Sequence, residues 1–304
     1  METAFIAEWG QRSAPISVAL LAEMDALPEI GHACGHNLSG PASLLAAAAL
    51  GANLDPEQLR VVVVAMMAHA SDMRRAHRLF LGNQKYEFVY HGTAAHAAAY
   101  PHEGLNALDG VIALFVGIGL LRQQLPSDVR VHGIISDGGQ APNIIPERAA
   151  AKVWVRALDP VALDGAGARV LACARGAAET SGTRLEVIPA VGCSPPMKAN
   201  LPLAAVYRRQ LEFLGLEETH HAPGQAIGSS DITHVSRVVP TIHPNFPIGE
   251  GLALHTRAFA EATATEQGDA GLLEGARAMA LTVVDLVNSG SLRDEIAAAS
   301  TLED

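Results

Sequence analysis

The run Arg60–Met67 (RVVVVAMM) limits the possible folds of this chain more than any other stretch. Four consecutive β-branched residues with apolar neighbours leave no polar face. They suit a strand covered on both sides, as in a mostly parallel sheet flanked by helices. The run leads straight into His69, and open parallel sheets gather ligands at the carboxyl ends of their strands. With 304 residues, 49 % hydrophobic and 17 % charged, the chain has material for a large core and length for two domains.

The segments around this strand predict an α/β architecture. Val18–Met24 (VALLAEM) is an apolar run that ends at Asp25-Ala26-Leu27-Pro28, where Pro28 and Gly31 begin a loop. The loop feeds an Ala/Leu-rich helix over Asn37–Leu50, with Pro41 placed in its first turn. Cys34 and His36 therefore lie at a helix N-terminus, where backbone donors favour a thiolate. Further on, strands are predicted at Tyr86–Tyr90, Val129–Ile135, Ala150–Ala157 and Arg184–Ile188, with helices from past Leu105 to Gln124 and over Asp159–Thr180. That order, strand-helix-strand-strand-helix-strand, is the order of a ferredoxin-like sandwich. After Pro195-Pro196 the expected elements are a helix at Leu203–Leu214, a short strand at Val238–Ile242 and a long helix at Thr265–Val287. The predicted fold is a mixed, mostly parallel sheet with flanking helices, formed by 1–84 and 191–304. A ferredoxin-like α+β module, 85–190, is inserted in it.

Charge narrows the partners. Asp plus Glu number 32 against 21 Lys plus Arg, and no segment supplies the basic face that phosphate binding needs, so no nucleic-acid partner is expected. The short cluster Arg74, Arg75, His77 and Arg78 reads as a solvated helix face. No apolar stretch is long enough to span a membrane, and the opening METAFIAEWG carries acids where a signal peptide would carry Lys or Arg, which points to a cytoplasmic protein without a membrane partner. Three widely spaced cysteines, Cys34, Cys173 and Cys193, do not form a disulfide framework.

The chemistry concentrates in Asp25-Ala26-Leu27-Pro28 and Gly31-His32-Ala33-Cys34-Gly35-His36-Asn37. Thiolate and imidazole are preferred ligands of zinc and other late divalent metals, and a nearby carboxylate can orient an imidazole through its second nitrogen. Gly31 and Gly35 allow the tight turns that aim several side chains at one point. The alternative is that Cys34 is a small buried hydrophobe and the histidines cap the helix. His69 and His255 (in LALHT) are the candidates for further ligands. A second group comprises His96 (in GTAAH), Asn106, Asn143 and Arg156, residue types that suit a substrate carboxylate or an oxyanion or, equally, the backbone groups of turns.

The segment AEMDALPEIGHACGHN resembles the metal-binding signature of the amidohydrolase branch of the aminoacylase and carboxypeptidase G-like metallopeptidases, which includes aminobenzoyl-glutamate hydrolases and dipeptidases. The resemblance continues in family order through HGTAAHAAAYPHEGLNALDG, RQQLPSDVRVHG, GGQAPNIIPERAAAKVWVRA, GSSDITHVSRVVPTIHPNF and LALHT. It implies that Cys34, His36, His69 and His255 hold one or two divalent ions, zinc or manganese, with Asp25 orienting the ligands. It implies a lid histidine, His96, that reaches the partner subunit's site in a homodimer and acts in catalysis and substrate binding. Asn143 and Arg156 would then bind the substrate's carboxylate, the substrate being an N-acyl amino acid or small dipeptide.

The family's Glu-Glu pair, a general base and a ligand in a loop after a core strand, has no counterpart here. The segments matching its two flanking strands, Val61–Val64 and Ala65–Ala68, are fused directly. Glu23, Glu29 and Glu250 are the carboxylates nearest the motifs, and none falls at the pair's sequence position. A positioned base contributes ~10² to 10⁴ in rate. Two readings follow: an amide hydrolase using metal-activated water, or an inactive relative that binds metal or an amino-acid-like ligand and dimerises.

Overall fold

A computed structural model of the chain describes residues 6–219 and 228–301. The first part carries β1 (Glu8–Trp9), β2 (Ile16–Leu20), α1 (His36–Asn53), β3 (Leu59–Met66) and β4 (His69–Ser71). Then follow β5 (Gly82–His91), α2 (Ala107–Arg122), β6 (Arg130–Asp137), β7 (Arg148–Ala157), α3 (Pro160–Ser181) and β8 (Arg184–Pro189). The chain ends with α4 (Leu201–Phe213), α5 (Ile232–Ser236), β9 (Asn245–Pro247), α6 (Arg257–Ala262), α7 (Glu266–Asn288) and α8 (Gly290–Thr301). Two compact units result: residues 1–79, 198–226 and 234–304 form the first, and 80–197 with 227–233 the second.

In the first unit the apolar run that constrained the fold serves two ladders. β3 pairs parallel with β2 and antiparallel with β1, but the β2 register jumps from Ala19↔Val62 to Leu20↔Met66. At Met66, still paired with Leu20, a second partner joins: Met66 bridges Ile242 in parallel, and β4 then pairs parallel with β9. Only Met67 and Ala68 separate β3 from β4. The sheets are thus mixed and mostly parallel, with α1 and α7 packed against each other beside them. Their core includes Leu20, Leu50, Leu59, Phe246, Phe259, Tyr207 and Met279.

Three sequence expectations need correction in this unit. The strand expected at Val238–Ile242 is a turn followed by the single bridge at Ile242, and the strand lies at β9 instead. Pro240 interrupts the run, and Val238 is exposed, so its β-branched side chain has no sheet to pack on. The basic cluster is no helix face: Arg75 pairs backbone to backbone with Asn245, and Arg74 grips both carboxylate oxygens of Glu274 on α7 at 2.6 and 2.7 Å. α1 starts at His36, which puts Pro41 in its second turn.

The second unit is a four-stranded antiparallel sheet in the order β6-β7-β5-β8, the ferredoxin-like arrangement. Alternation along most of β7, broken only at the buried Ala150, explains its two faces. Ala149, Ala151, Val153, Val155 and Ala157 are buried, whereas Lys152 and Trp154 point the other way. The buried face packs on α2 and α3, with Phe88, Tyr90, Leu114, Ile118 and Val170 in the core. Capping is conventional: Asn106 caps α2 through Leu108 N–H, and Asp159 caps α3 through Ala162 N–H. Among the described residues, no helix is long and apolar enough to cross a membrane.

Candidate functional site

The metal-type cluster is assembled by the loop between β2 and α1 and by the start of β4. Leu27 and Gly31 exchange backbone hydrogen bonds of 2.8 and 3.0 Å, closing a tight turn in which Glu29 and Gly31 both have positive φ. Gly35, with φ +83°, then turns the chain into α1, and a Cβ there would meet the Ala70 Cβ at 2.6 Å. This close approach of Gly35 to β4 brings Cys34 and His36 to His69. Cys34 Sγ lies 3.5 Å from His69 Nε2, and the His36 and His69 rings meet edge to face at 5.3 Å. The ligand atoms of Cys34, His36 and His69 all lie within 4.8 Å of one another.

The ring orientations follow from the acceptors behind them. His69 Nδ1 is 2.7 Å from the Ala70 carbonyl oxygen. A carbonyl only accepts, so Nδ1 carries a hydrogen and Nε2 is the ring atom that faces Cys34. His36 Nδ1 is 2.7 Å from Asp25 Oδ1, and its Nε2 is 2.9 Å from Glu23 Oε2. Burial opposes a charge on His36, but Cys34 and Glu23 outweigh it and raise the imidazole to about 11. Burial likewise pushes the Cys34 thiol up, and hydrogen bonds and charge from His36 and His69 outweigh it, bringing the thiol down to about 5. Without an ion the cluster is therefore a thiolate–imidazolium pair.

Two residues that sequence position passed over lie against this cluster. Glu23 reaches His36 although it is far from the family's acidic pair in sequence; Glu23, Asp25 and His36 form a second group of ligand atoms within 4.8 Å. The only sequence signal was its place two residues before Asp25. His243, fully buried, sets its ring 5.4 Å from that of His69, and burial together with His69 and Arg78 drives its pKa well below the ordinary range. His255 is tied to the loop by its backbone, N–H to the Ala33 carbonyl at 2.9 Å, with a positive φ of 64°. Its exposed ring is not in either group of ligand atoms.

In the second unit, His96 and Asn143 are neighbours: Ala97 N–H donates to the Asn143 carbonyl, and His96 bridges Ile144. His96 Nδ1 accepts from the Ala98 and Ala99 N–H groups at 3.3 and 3.2 Å, leaving Nε2–H free to point outward from an exposed ring. Asn106 is the α2 cap. Arg156 sits at the other end of β7 from Asn143, stacked over Trp154 at 5.2 Å and donating to Ser229 Oγ at 3.1 Å. The structure therefore brings His96 and Asn143 together and keeps Arg156 apart from them.

Known proteins of this two-unit fold place the chain among the peptidases. Residues 81–180 match the model of the peptidase dimerisation domain. The chain is 34 % identical over 339 residues to the human Xaa-Arg dipeptidase, covering 97 % of this chain and 77 % of that one. The mouse Xaa-Arg dipeptidase is 32 % identical over 337 residues, with the same coverage. The chain belongs to the M20 peptidase family, in its amidohydrolase and dipeptidase branch. Both aligned spans exceed the 304 residues of this chain, so these relatives carry internal residues that it lacks. A dinuclear metal-binding peptidase of the same family from Bacillus subtilis shares the fold, with a TM-score of 0.68 at 16 % identity over 93 % of this chain and 85 % of that one.

Proposed function

We propose that the protein is a metal-dependent amidohydrolase acting on N-acyl amino acids or small dipeptides, with its metal held by Cys34, His36 and His69. The observation that carries this reading is the convergence of one thiolate and two imidazoles within 4.8 Å, each imidazole fixed by an acceptor behind it. That donor set fits zinc, and manganese less well because of the thiolate. When bound, the ion would supply Lewis acidity toward an amide carbonyl and toward water. Asp25 acts as the positioning group that holds His36 by Nδ1. His255 extends the ligand set if its ring turns inward from the backbone position that Ala33 holds.

The second unit supplies substrate recognition and dimerisation. The outward Nε2–H of His96 suits a substrate carboxylate or a developing oxyanion, with Asn143 beside it, while the guanidinium of Arg156 offers a carboxylate site elsewhere on the sheet. Ile112, Val116 and Leu120 form an exposed apolar stripe along α2 at four-residue spacing, suited to a second copy of the chain. The relatives' names support the hydrolase class and small dipeptide-like substrates.

One observation favours the second reading, an inactive relative that keeps the metal and the dimer: β3 runs into β4 across two residues, with no loop there to carry the family's acidic pair. The deciding experiment measures zinc, manganese and cobalt per chain and, in the same preparation, amino-acid release from a panel of N-acyl amino acids and dipeptides. Metal-dependent release that disappears in Cys34→Ser and His36→Ala supports the hydrolase. Metal without release supports the inactive relative, and absence of metal from the folded protein removes the hydrolase and leaves only an inactive relative that binds an amino-acid-like ligand.

A further inference from the structure

Resting on the metal-centre reading above, we propose that Glu23 is the carboxylate ligand of that centre, taking the place of the acidic pair that the β3–β4 join leaves no room for. Asp25 occupies His36 Nδ1 at 2.7 Å, so Nε2 is the ring atom left to coordinate. Glu23 Oε2 lies 2.9 Å from that same Nε2. Two nitrogen or oxygen ligands at ~2.0–2.1 Å from one tetrahedral ion sit roughly 3.3 Å apart, and a sulfur–nitrogen pair about 3.6 Å apart. The Cys34–His69 separation of 3.5 Å meets the second value, and the Glu23–His36 separation needs a small widening to meet the first.

His36 is the shared corner of the two donor groups, Cys34-His36-His69 and Glu23-Asp25-His36. Joining them around one ion requires the Glu23 carboxylate to swing toward Cys34 and His69. The side chain is 27 % exposed and has three torsions with which to do so. Its backbone is not free to drift: Gly40 of α1 packs so closely on Glu23 that a Cβ at Gly40 would meet the Glu23 carbonyl oxygen at 2.7 Å. Asp25 differs in kind, because it acts on the far nitrogen of the same ring. The two acids thus have separable roles: Glu23 on the ion and Asp25 on its ligand.

Cobalt(II) titration of the purified full chain, followed by visible and near-ultraviolet absorption, separates these roles without any assay of turnover. The wild type is expected to show intense four-coordinate ligand-field bands and a thiolate-to-cobalt band that Cys34→Ser removes. Glu23→Gln should keep the thiolate band, alter the ligand-field bands and weaken cobalt binding by about tenfold or more. Asp25→Asn should weaken binding while leaving the ligand-field pattern unchanged. Glu23→Asp, a shorter arm with the same donor, should fall between wild type and Glu23→Gln. It also carries the test if Glu23→Gln loses the cooperative melting of the wild type. Unaltered affinity and spectra in the Glu23 variants would overturn the proposal while leaving the metal centre standing. A wild type with no Cys34-dependent band would overturn the metal centre and the proposal with it.

Discussion

A histidine can present either ring nitrogen, and at His36 and His69 the choice is made by oxygen acceptors behind the ring. Asp25 holds one ring and the Ala70 carbonyl the other, which leaves both Nε2 atoms directed toward Cys34 and Glu23. Replacing Asp25 by Asn should therefore cost about 10- to 100-fold in zinc affinity, measured by competition with a chromophoric chelator, whereas Cys34→Ser and His36→Ala should abolish stoichiometric binding. Gly35→Ala should destabilise the protein by about 1–3 kcal/mol in urea unfolding, since the residue holds φ +83° and the new methyl would overlap Ala70. The same cluster makes a pH prediction for the metal-free protein. His36 is raised from 6.5 to about 11, so its contribution is complete below 6.5 and disappears as pH rises toward 11. Cys34 is lowered from 9.0 to about 5, so its contribution is complete above 9 and disappears as pH falls toward 5. The two slopes cancel between 6.5 and 9, giving a plateau with a fall on either side. His77, lowered to about 4 by burial and Arg208, steepens the acid side. Melting temperature against pH in chelator should show this plateau, and Cys34→Ser should shrink its acid-side fall.

At the level of elements, one strand-like stretch does the work of two. Val61 and Val62 pair with β2, and from Met66 the same stretch pairs with residues 242–247. β9 is short and Pro-flanked, so its attachment depends on side chains around it: Asn245 Nδ2 donates to the His69 carbonyl, and the Arg75 backbone pairs with Asn245. The Arg74–Glu274 ion pair ties this 72–78 segment to α7, with both groups mostly shielded from water. Glu274→Ala should accordingly cost about 1.5–3 kcal/mol, read as a shift in the urea midpoint with unchanged slope. α8 was not apparent from the sequence because its weakly amphipathic run, GSLRDEIAAAST, buries chiefly Ile296, whose carbonyl accepts from Asn200.

For the whole molecule, the proposed pairing of two copies rests on the outer face of α2. α2 exposes Ile112, Val116 and Leu120 on the face opposite its core residues Val111, Leu114 and Ile118. If two copies pair through this face as proposed, a paired Val116→Glu and Leu120→Glu variant should shift sedimentation from dimer to monomer, because desolvating two carboxylates in an apolar contact is costly. If His96 serves a neighbouring subunit's site, that monomer should also lose hydrolysis while retaining its metal.

Local pattern was enough for much of this protein. The ferredoxin-like module was legible because its strand and helix segments follow one another in the order strand-helix-strand-strand-helix-strand, a property of neighbouring residues. The ligand candidates Cys34 and His36 were legible for the same reason, lying one residue apart on a glycine-rich loop. Tertiary structure alone decided the meeting of His69 with Cys34, the second strand partner gained at Met66, the place of β9, and the reach of Glu23 to His36. Those contacts join segments far apart in the chain or depend on which way a loop turns. No periodicity encodes such a distance, and it exists only once Gly35 has brought the loop down onto Ala70.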